Sequence, residues 1–295
     1  MKKDAYEKTG KEILDCLPKR MERSNKGTYG KVLCVAGSVN MAGAAFLCAW
    51  AAYRAGAGLV RVLTPEENRV IVQTLLPEAL LTTFDTGNPD EEQLREAFEW
   101  ADVAAVGPGL GKEPWAYELT KRALMDVQKP LVLDADGLNH LSEHKELLKG
   151  QDRELILTPH PGEFARLTGQ TVPEILLDIP GQAARFAKET RCICVLKDAP
   201  SAVGDPEGNG YINTTGNHGM STGGSGDVLT GIIAGLLAQK VPALLAARLG
   251  VWLHGRAGDL AVRTEGTYGM LARHLVEYLP KAMKPFQSKE QKGQV

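Results

Sequence analysis

The sequence contains no apolar segment long enough to cross a lipid bilayer and no large excess of charge of one sign. Its longest apolar run, residues 42–53, falls far short of the roughly 20 residues that a transmembrane helix requires. The 34 basic and 36 acidic residues leave a formal net charge of -2, so no basic field is available for a nucleic-acid backbone. Residues 1–20 carry scattered charges and no apolar core, which argues against a signal peptide. We expect neither a membrane nor a nucleic-acid partner.

Paired cysteines and metal-binding patterns are also missing. There are five cysteines, an odd number, and no C-x-x-C motif. Cys34, Cys192 and Cys194 lie in apolar, strand-like runs, which favours reduced, buried thiols in a cytoplasmic protein. The histidines show no spacing typical of a zinc site. The absence of G-x-x-x-x-G-K-[ST] excludes a P-loop NTPase.

Glycine, in contrast, is abundant, with 32 residues concentrated in short loops. Strand-like runs alternate with amphipathic helical segments over most of the chain, and these runs are continuously apolar, as in a parallel sheet buried on both faces. The order predicts an α/β fold with a doubly wound, mostly parallel sheet and helices on both faces. We expect one domain over residues 1–295, with polar, frayed ends at 1–25 and 284–295.

The predicted elements are strands followed by helices, then a hairpin and three more helices. The predicted strands are 31–36, 59–63, 103–106, 131–133, 155–157, 192–196 and 201–203. The predicted helices are 41–54, 66–74, 91–100, 114–127, 137–146, 173–190, 227–239, 243–262 and 270–282, with a hairpin at 203–213.

The segment Gly223-Gly224-Ser225-Gly226-Asp227 directly precedes an apolar helical run. Glycines let backbone N–H groups converge, and a helix start adds partial positive charge, so this segment suits a developing phosphate charge. Asp227 is then a candidate base for a substrate hydroxyl. The alternative, that Asp227 merely caps the helix, is equally compatible with this pattern.

Two loops follow predicted strands, where ligands bind in open α/β sheets. Gly107-Pro108-Gly109-Leu110-Gly111 does not match the dinucleotide fingerprint; it is either a tight turn or a backbone wall against a ligand. In Thr158-Pro159-His160-Pro161-Gly162-Glu163, His160 is a candidate ligand contact and Glu163 a candidate to hold magnesium through water. An ordinary loop is the alternative for the second segment.

Two further segments carry polar side chains. Lys197-Asp198-Ala199-Pro200-Ser201 offers a positive charge and a hydroxyl for phosphates, or else a β-turn around Asp198 and Pro200. His254 and Asp259 lie on a helical segment rich in small residues, and we favour packing over catalysis for them.

Jointly these segments resemble the ADP- or ATP-dependent NAD(P)H-hydrate dehydratases of the ribokinase-like superfamily. Gly224-Ser225-Gly226-Asp227 matches that superfamily's G-x-G-D, and His160 stands where its vitamin kinases carry Asn. The resemblance covers residues 26–280. Within that family, the chain is similar to the stand-alone dehydratase, which has no epimerase domain. The other matching motifs are Lys26-Gly27-Thr28-Tyr29-Gly30-Lys31-Val32, Gly37-Ser38, Met41-Ala42-Gly43-Ala44-Ala45, Gly56-Ala57-Gly58-Leu59-Val60, Leu133-Asp134-Ala135-Asp136-Gly137-Leu138-Asn139 and Gly219-Met220-Ser221-Thr222-Gly223-Gly224.

The resemblance implies a repair reaction, in which hydrated NADH or NADPH is phosphorylated on its new hydroxyl and then loses phosphate. It implies ADP or ATP as donor, with ADP expected first, and also Mg2+ and a homotetramer. Asp227 would be the base and contact the ring. The remaining implied site residues are Ala44, Gly109 and His160 for substrate, Lys197, Asp198, Ala199, Pro200, Ser201 and Gly226 for nucleotide, and Gly223, Gly224, Ser225 and Gly226 for the anion hole. Asp198 departs from the family, because many relatives carry Gly there.

Two other functions remain open. A small-molecule kinase of the same fold would leave a stable phosphorylated product, but His160 in the Asn position argues against it. A non-catalytic nucleotide sensor would bind without turnover, and the presence of Asp227 argues against that.

Overall fold

The computed structural model describes residues 6–151 and 153–284, whose strands form one sheet. The strands are β1 Glu7–Thr9, β2 Lys31–Val35, β3 Leu59–Pro65, β4 Leu80–Phe84, β5 Val103–Val106, β6 Leu131–Leu133, β7 Leu155–Leu157, β8 Ile193–Leu196, β9 Ala202–Gly204 and β10 Gly210–Asn213. Their order is β1-β10-β9-β8-β7-β6-β5-β2-β3-β4. All neighbours are parallel except β8–β9 and β9–β10, so the predicted mostly parallel sheet is confirmed.

Helices cover both faces of this sheet, as predicted. They are α1 Ala42–Ala55, α2 Arg69–Leu75, α3 Glu91–Trp100, α4 Pro114–Met125, α5 Ala135–Glu143, α6 Pro161–Thr168, α7 Val172–Leu176, α8 Ile179–Thr190, α9 Ser225–Ala238, α10 Ala243–Gly269 and α11 Ala272–Met283. Alternate residues of one strand enter different cores: Val32 packs in the core of α1, α9, α10 and α11, and Leu33 in that of α3 to α6 and α8. This follows from the two-residue period of a strand.

The expectation of a frayed segment over residues 1–25 is wrong for its central part. Strand β1 pairs with β10, and a 3₁₀ helix over Lys11–Cys16 buries Ile13 and Leu14 in the core. Charged residues on the exposed side of this segment flank Ile13 and Leu14, so the sequence shows no long apolar run there. Residues 1–5 and 285–295 lie outside the described part of the chain.

Other element predictions also need correction. Strand β4 was missed because Thr82 and Thr83, although buried, interrupt its apolar run. The predicted helix 173–190 is two helices, since the Asp178 carboxylate accepts the Gly181 N–H and starts α8 anew. The predicted helix 243–262 continues to residue 269, with a kink at Gly266.

The chain moves outward in opposite directions from β2, to β3 and β4 on one side and to β5 through β8 on the other. Such a switch point leaves a crevice at the carboxyl ends of the strands. The loops after β2 and β5 meet there, where the Gly37 N–H donates to the Pro108 carbonyl at 2.8 Å. The sheet therefore brings the loops after β2, β5, β6, β7 and β8 to one edge.

Candidate functional site

A buried ion pair lies at this edge. Asp134, directly after β6, is 1% exposed, and its Oδ1 is 2.7 Å from Nζ of Lys197, which follows β8. The Thr230 hydroxyl on α9 donates to Oδ2 of Asp134 at 2.8 Å. Burial opposes both charges, but mutual attraction lowers the pKa of Asp134 and raises that of Lys197. The positive charge that the sequence predicted at Lys197 is therefore paired with a buried carboxylate.

Asp227 lies in the first turn of α9 beside this pair. The helix begins at Ser225 with Gly224 as its N-cap, and Asp227 makes no capping bond, so the simple capping interpretation is wrong. Within the described residues, its carboxylate accepts no hydrogen bond. Burial and then the Asp134 carboxylate raise the pKa of Asp227 to about 7, against the opposing effect of Lys197. Such a group takes and releases protons near neutral pH.

The glycine loop before α9 fits closely between its neighbours. A Cβ on Gly226 would lie 3.3 Å from Nζ of Lys197 and 3.5 Å from Oδ2 of Asp134. The first turn of α9 therefore rests directly on the ion pair. The N–H groups of a first helical turn have no carbonyl partner within the helix, so they can bind an anion.

Two adjacent glycines of this loop differ in what a side chain would meet. Gly224 has φ +89°, and its Cβ would lie 2.5 Å from Cδ1 of Leu47, whereas nothing lies within 4 Å of a Cβ on Gly223. We expect Gly224→Ala to lower the free energy of unfolding by about 1–3 kcal/mol, because left-handed backbone and steric overlap act together. Gly223→Ala, the matched control, should change it by less than about 0.5 kcal/mol. Urea denaturation measures both, and equal losses would contradict this account.

His160 and Glu163 cap the start of α6 reciprocally. Nδ1 of His160 accepts the Gly162 N–H at 3.0 Å, and Oε2 of Glu163 accepts the His160 N–H at 2.8 Å. Because Nδ1 is an acceptor, Nε2 holds the ring proton. Burial, and then Lys197, lower the pKa of His160, which keeps this half-exposed ring neutral. His160 thus presents one N–H donor at the site.

Glu163 is buried, and burial raises its pKa. Oε2 of Glu163 is 3.7 Å from Nζ of Lys197, so the carboxylate joins the ion pair as well as the cap. Across residues 6–151 and 153–284, no cluster of three or more His, Cys, Asp or Glu side chains could hold a metal ion by itself. The magnesium role of Glu163 stays a prediction.

Ala44 and Gly109 face each other across the crevice. Gly109 has φ +57°, and a Cβ there would lie 2.7 Å from Cβ of Ala44. The loop around Gly109 is a tight turn, since the Leu110 N–H donates to the Gly107 carbonyl. Farther along, Oδ2 of Asp136 accepts the Gly111 N–H at 2.8 Å. The two interpretations of this loop, turn and wall, are therefore compatible.

The segment after β8 forms the turn that the sequence allowed. The Asp198 N–H donates to Oγ of Ser201 at 3.2 Å, and that hydroxyl donates back to the Asp198 carbonyl. Asp198, Ala199 and Pro200 are exposed. Lys197 is the only residue of this segment that takes part in the ion pair.

Helix α10 supports the glycine loop through hydrogen bonds that the sequence patterns did not predict. Nε2 of His254 is 3.0 Å from the Ser225 carbonyl, and burial lowers the pKa of His254 to about 4, so the ring is neutral. The Asp259 carboxylate accepts from the Gly216 N–H and the Asn217 amide, each at 3.0 Å. The packing role expected for His254 and Asp259 is thus extended by hydrogen bonds that position the loop.

A family profile described as NAD(P)H-hydrate dehydratase matches residues 32–281, most of the chain. The chain belongs to this family. The ADP-dependent (S)-NAD(P)H-hydrate dehydratase of Bacillus subtilis is 33% identical over 279 residues, which cover 95% of this chain and 98% of that protein. The bifunctional NAD(P)H-hydrate repair enzyme of Moorella thermoacetica is 44% identical over 274 residues, covering 90% of this chain and 51% of the relative. The chain spans about half the length of such bifunctional relatives.

Solved structures of dehydratase relatives have the same fold. The B. subtilis ADP/ATP-dependent NAD(P)H-hydrate dehydratase, co-crystallized with ATP/Mg2+, superposes with a TM-score of 0.83 at 30% identity, covering 97% of this chain and all of that one. A ribokinase-like protein from Enterococcus faecalis has a TM-score of 0.87 at 29% identity, covering 97% and 98%. The predicted ribokinase-like fold is confirmed. Over the described residues, no helix is both long and apolar enough to span a bilayer.

Proposed function

We propose that this dehydratase-family chain converts hydrated NADH or NADPH back to NAD(P)H, using ADP or ATP to phosphorylate the ring hydroxyl before phosphate leaves. The observation that carries this proposal is Asp227. Its unpartnered carboxylate, with a pKa of about 7, lies at a glycine-rich helix start. The ADP-dependent B. subtilis relative, matched over nearly its whole length, supports the same reaction.

In the proposed reaction, Asp227 accepts the proton of the ring hydroxyl as that oxygen attacks the terminal phosphorus of the nucleotide. The N–H groups of Gly223, Gly224 and Gly226 would face the charge that develops on the transferred phosphoryl, whereas the Ser225 N–H, also predicted for this anion hole, donates to the Thr222 carbonyl at 3.3 Å. Because Lys197 is paired with Asp134 beneath Gly226, its ammonium group is held in a fixed place near the transferred phosphoryl.

Ala44, Gly109 and His160 would contact the hydrated nicotinamide, with the His160 Nε2–H as donor. Residues 197–201, together with Gly226, would line the nucleotide. Mg2+ usually binds through one or two carboxylates plus substrate phosphates. Glu163, whose oxygens already face His160 and Lys197, fits such a role only through water. When bound, Mg2+ would neutralise phosphate charge.

We also propose that the chain forms a single ribokinase-like domain and acts in the cytoplasm as a homotetramer. Five free thiols, four of them buried, suit a reducing compartment. Val70, Ile71 and Leu75 expose apolar side chains on α2 and offer a contact between subunits. Light scattering coupled to size exclusion measures the number of subunits.

The test of function is restoration of NADH from NADH hydrate, followed by absorbance, with ADP or ATP plus Mg2+. We expect recovery only when a nucleotide is present, and the faster nucleotide identifies the donor. Protein that binds nucleotide but restores no NADH would exclude the dehydratase function. A stable phosphorylated vitamin alcohol would then indicate the small-molecule kinase.

The pH dependence follows from the raised pKa of Asp227, about 7. The base form is needed, so kcat/KM should fall about tenfold per pH unit below that pKa and level off above it. The same raised pKa makes folding more favourable at acid pH, and this contribution is lost as pH rises through about 7. Nucleotide affinity over the same pH range is the control, and a flat kcat/KM profile would contradict the assignment of Asp227.

A further inference from the structure

A cavity of about 620 Å3 lies at the amino ends of β7 and β8. Residues 149–151 precede β7, and Thr190 and Arg191 precede β8, whereas the candidate site follows the carboxyl ends of these strands. The two strands are three and four residues long, so roughly 10 Å of sheet separates the two places. The cavity is therefore distinct from the candidate active site.

The inner wall of this cavity is apolar and partly aromatic. It contains Leu148, Phe164, Leu167 and Phe186. The rings of Phe164 and Phe186 meet edge to face, with centroids 5.2 Å apart. Phe164 is fully buried, so a ligand in the cavity would meet mainly the exposed edge of Phe186 and the half-buried Leu148. These two side chains suit a small apolar group, because an aromatic edge and an aliphatic side chain both pack against a flat ring.

The rim of the cavity is strongly basic. Among the described residues, Lys145, Lys149, Arg185 and Arg191 line it together with one acid, Glu189. In the part of the chain that the structure describes, none of these four cations forms a salt bridge. Unpaired cations around an apolar depression favour an anionic ligand.

One side-chain amide without a protein partner reaches the surface of the cavity. Gln182 on α8 is 8% exposed and lines the cavity, and its side-chain amide makes no hydrogen bond to any described residue. An accessible amide without a protein partner hydrogen-bonds to water or to a ligand. The amide is thus available to a ligand, and this observation is independent of the charges on the rim.

We propose that this cavity binds a small organic anion that combines a flat apolar ring with a phosphate group. The ring lies against Phe186 and Leu148, the phosphate meets the basic rim, and the Gln182 amide hydrogen-bonds between them. This binding does not depend on the dehydratase activity.

The test uses 1-naphthyl phosphate as the probe, with affinity measured by calorimetry on the whole protein. Arg185→Glu should weaken binding at least about tenfold, since a charged hydrogen bond and its local field are lost. Lys188→Glu is the matched control, because it makes the same charge change on the same helix outside the cavity. It should weaken binding less than about twofold. Gln182→Leu should also weaken binding, by about threefold or more.

Two comparisons complete the test. Neutral 1-naphthol and inorganic phosphate should each bind at least about tenfold more weakly than the combined probe, because each uses only part of the cavity. Saturating ATP should leave the probe's affinity unchanged. No detectable binding, equal weakening by Arg185→Glu and Lys188→Glu, or displacement of the probe by ATP would overturn the proposal.

Discussion

The Asp227→Asn variant is expected to lower kcat for NADH restoration by about 10²- to 10⁴-fold, the contribution of a positioned general base. Asparagine keeps the shape of the side chain but cannot accept the hydroxyl proton. Its folded state should be as stable as the wild type or more so. Burial and the Asp134 carboxylate both disfavour the charged form of Asp227, and the substitution removes that charge.

A lower kcat together with an unchanged or higher free energy of unfolding is thus the result specific to a catalytic base whose charged form is destabilised by its surroundings. Turnover and urea denaturation are measured on the same preparation, with nucleotide affinity as a check on the loop. Asp126→Asn, at an exposed carboxylate beyond the end of α4, is the matched control and should change neither quantity. A variant at position 227 that keeps a tenth or more of the wild-type kcat would refute the role of this carboxylate.

The Lys197→Met variant is expected to lower the free energy of unfolding by about 3–5 kcal/mol, which is the effect of removing one partner of a buried ion pair. Methionine retains much of the aliphatic stem, so the loss comes mainly from Asp134, which remains buried with the hydroxyl groups of Thr230 and Thr158 but without an opposite charge. Without the ammonium, burial should raise the pKa of Asp134 above its unfolded value. The loss should therefore be larger at alkaline pH than at acid pH, where the carboxyl is protonated.

Asp134→Asn in the same chain provides the second half of this test. The double variant Asp134→Asn/Lys197→Met should regain a substantial part of the lost stability, because no uncompensated charge remains. Lys188→Met, at an exposed position of α8, is the control for replacing a lysine. If Lys197→Met lowers the unfolding free energy by less than about 1 kcal/mol, the pair has no structural role.

The regular part of this fold could be predicted from local patterns. Buried parallel strands are continuously apolar, so β2, β5, β6, β7 and β8 were recognisable, and the glycine loops that follow several of them indicated one binding edge. Strands β1 and β4 were missed because charged or hydroxylated residues interrupt their runs. Pairing with β10 and β3 makes them strands, and such pairing is not encoded in the segments themselves.

The features of the candidate site likewise fall into those that the sequence predicts and those that only the tertiary structure sets. The sequence by itself determined that Asp227 follows a glycine-rich loop at a helix start, because that property depends only on neighbouring residues. The tertiary structure alone decided that Lys197 is paired with Asp134, 63 residues away along the chain, and that His254 and Asp259 hold the glycine loop. It also decided the raised pKa of Asp227, since desolvation and the nearby Asp134 charge arise only when distant segments are packed together.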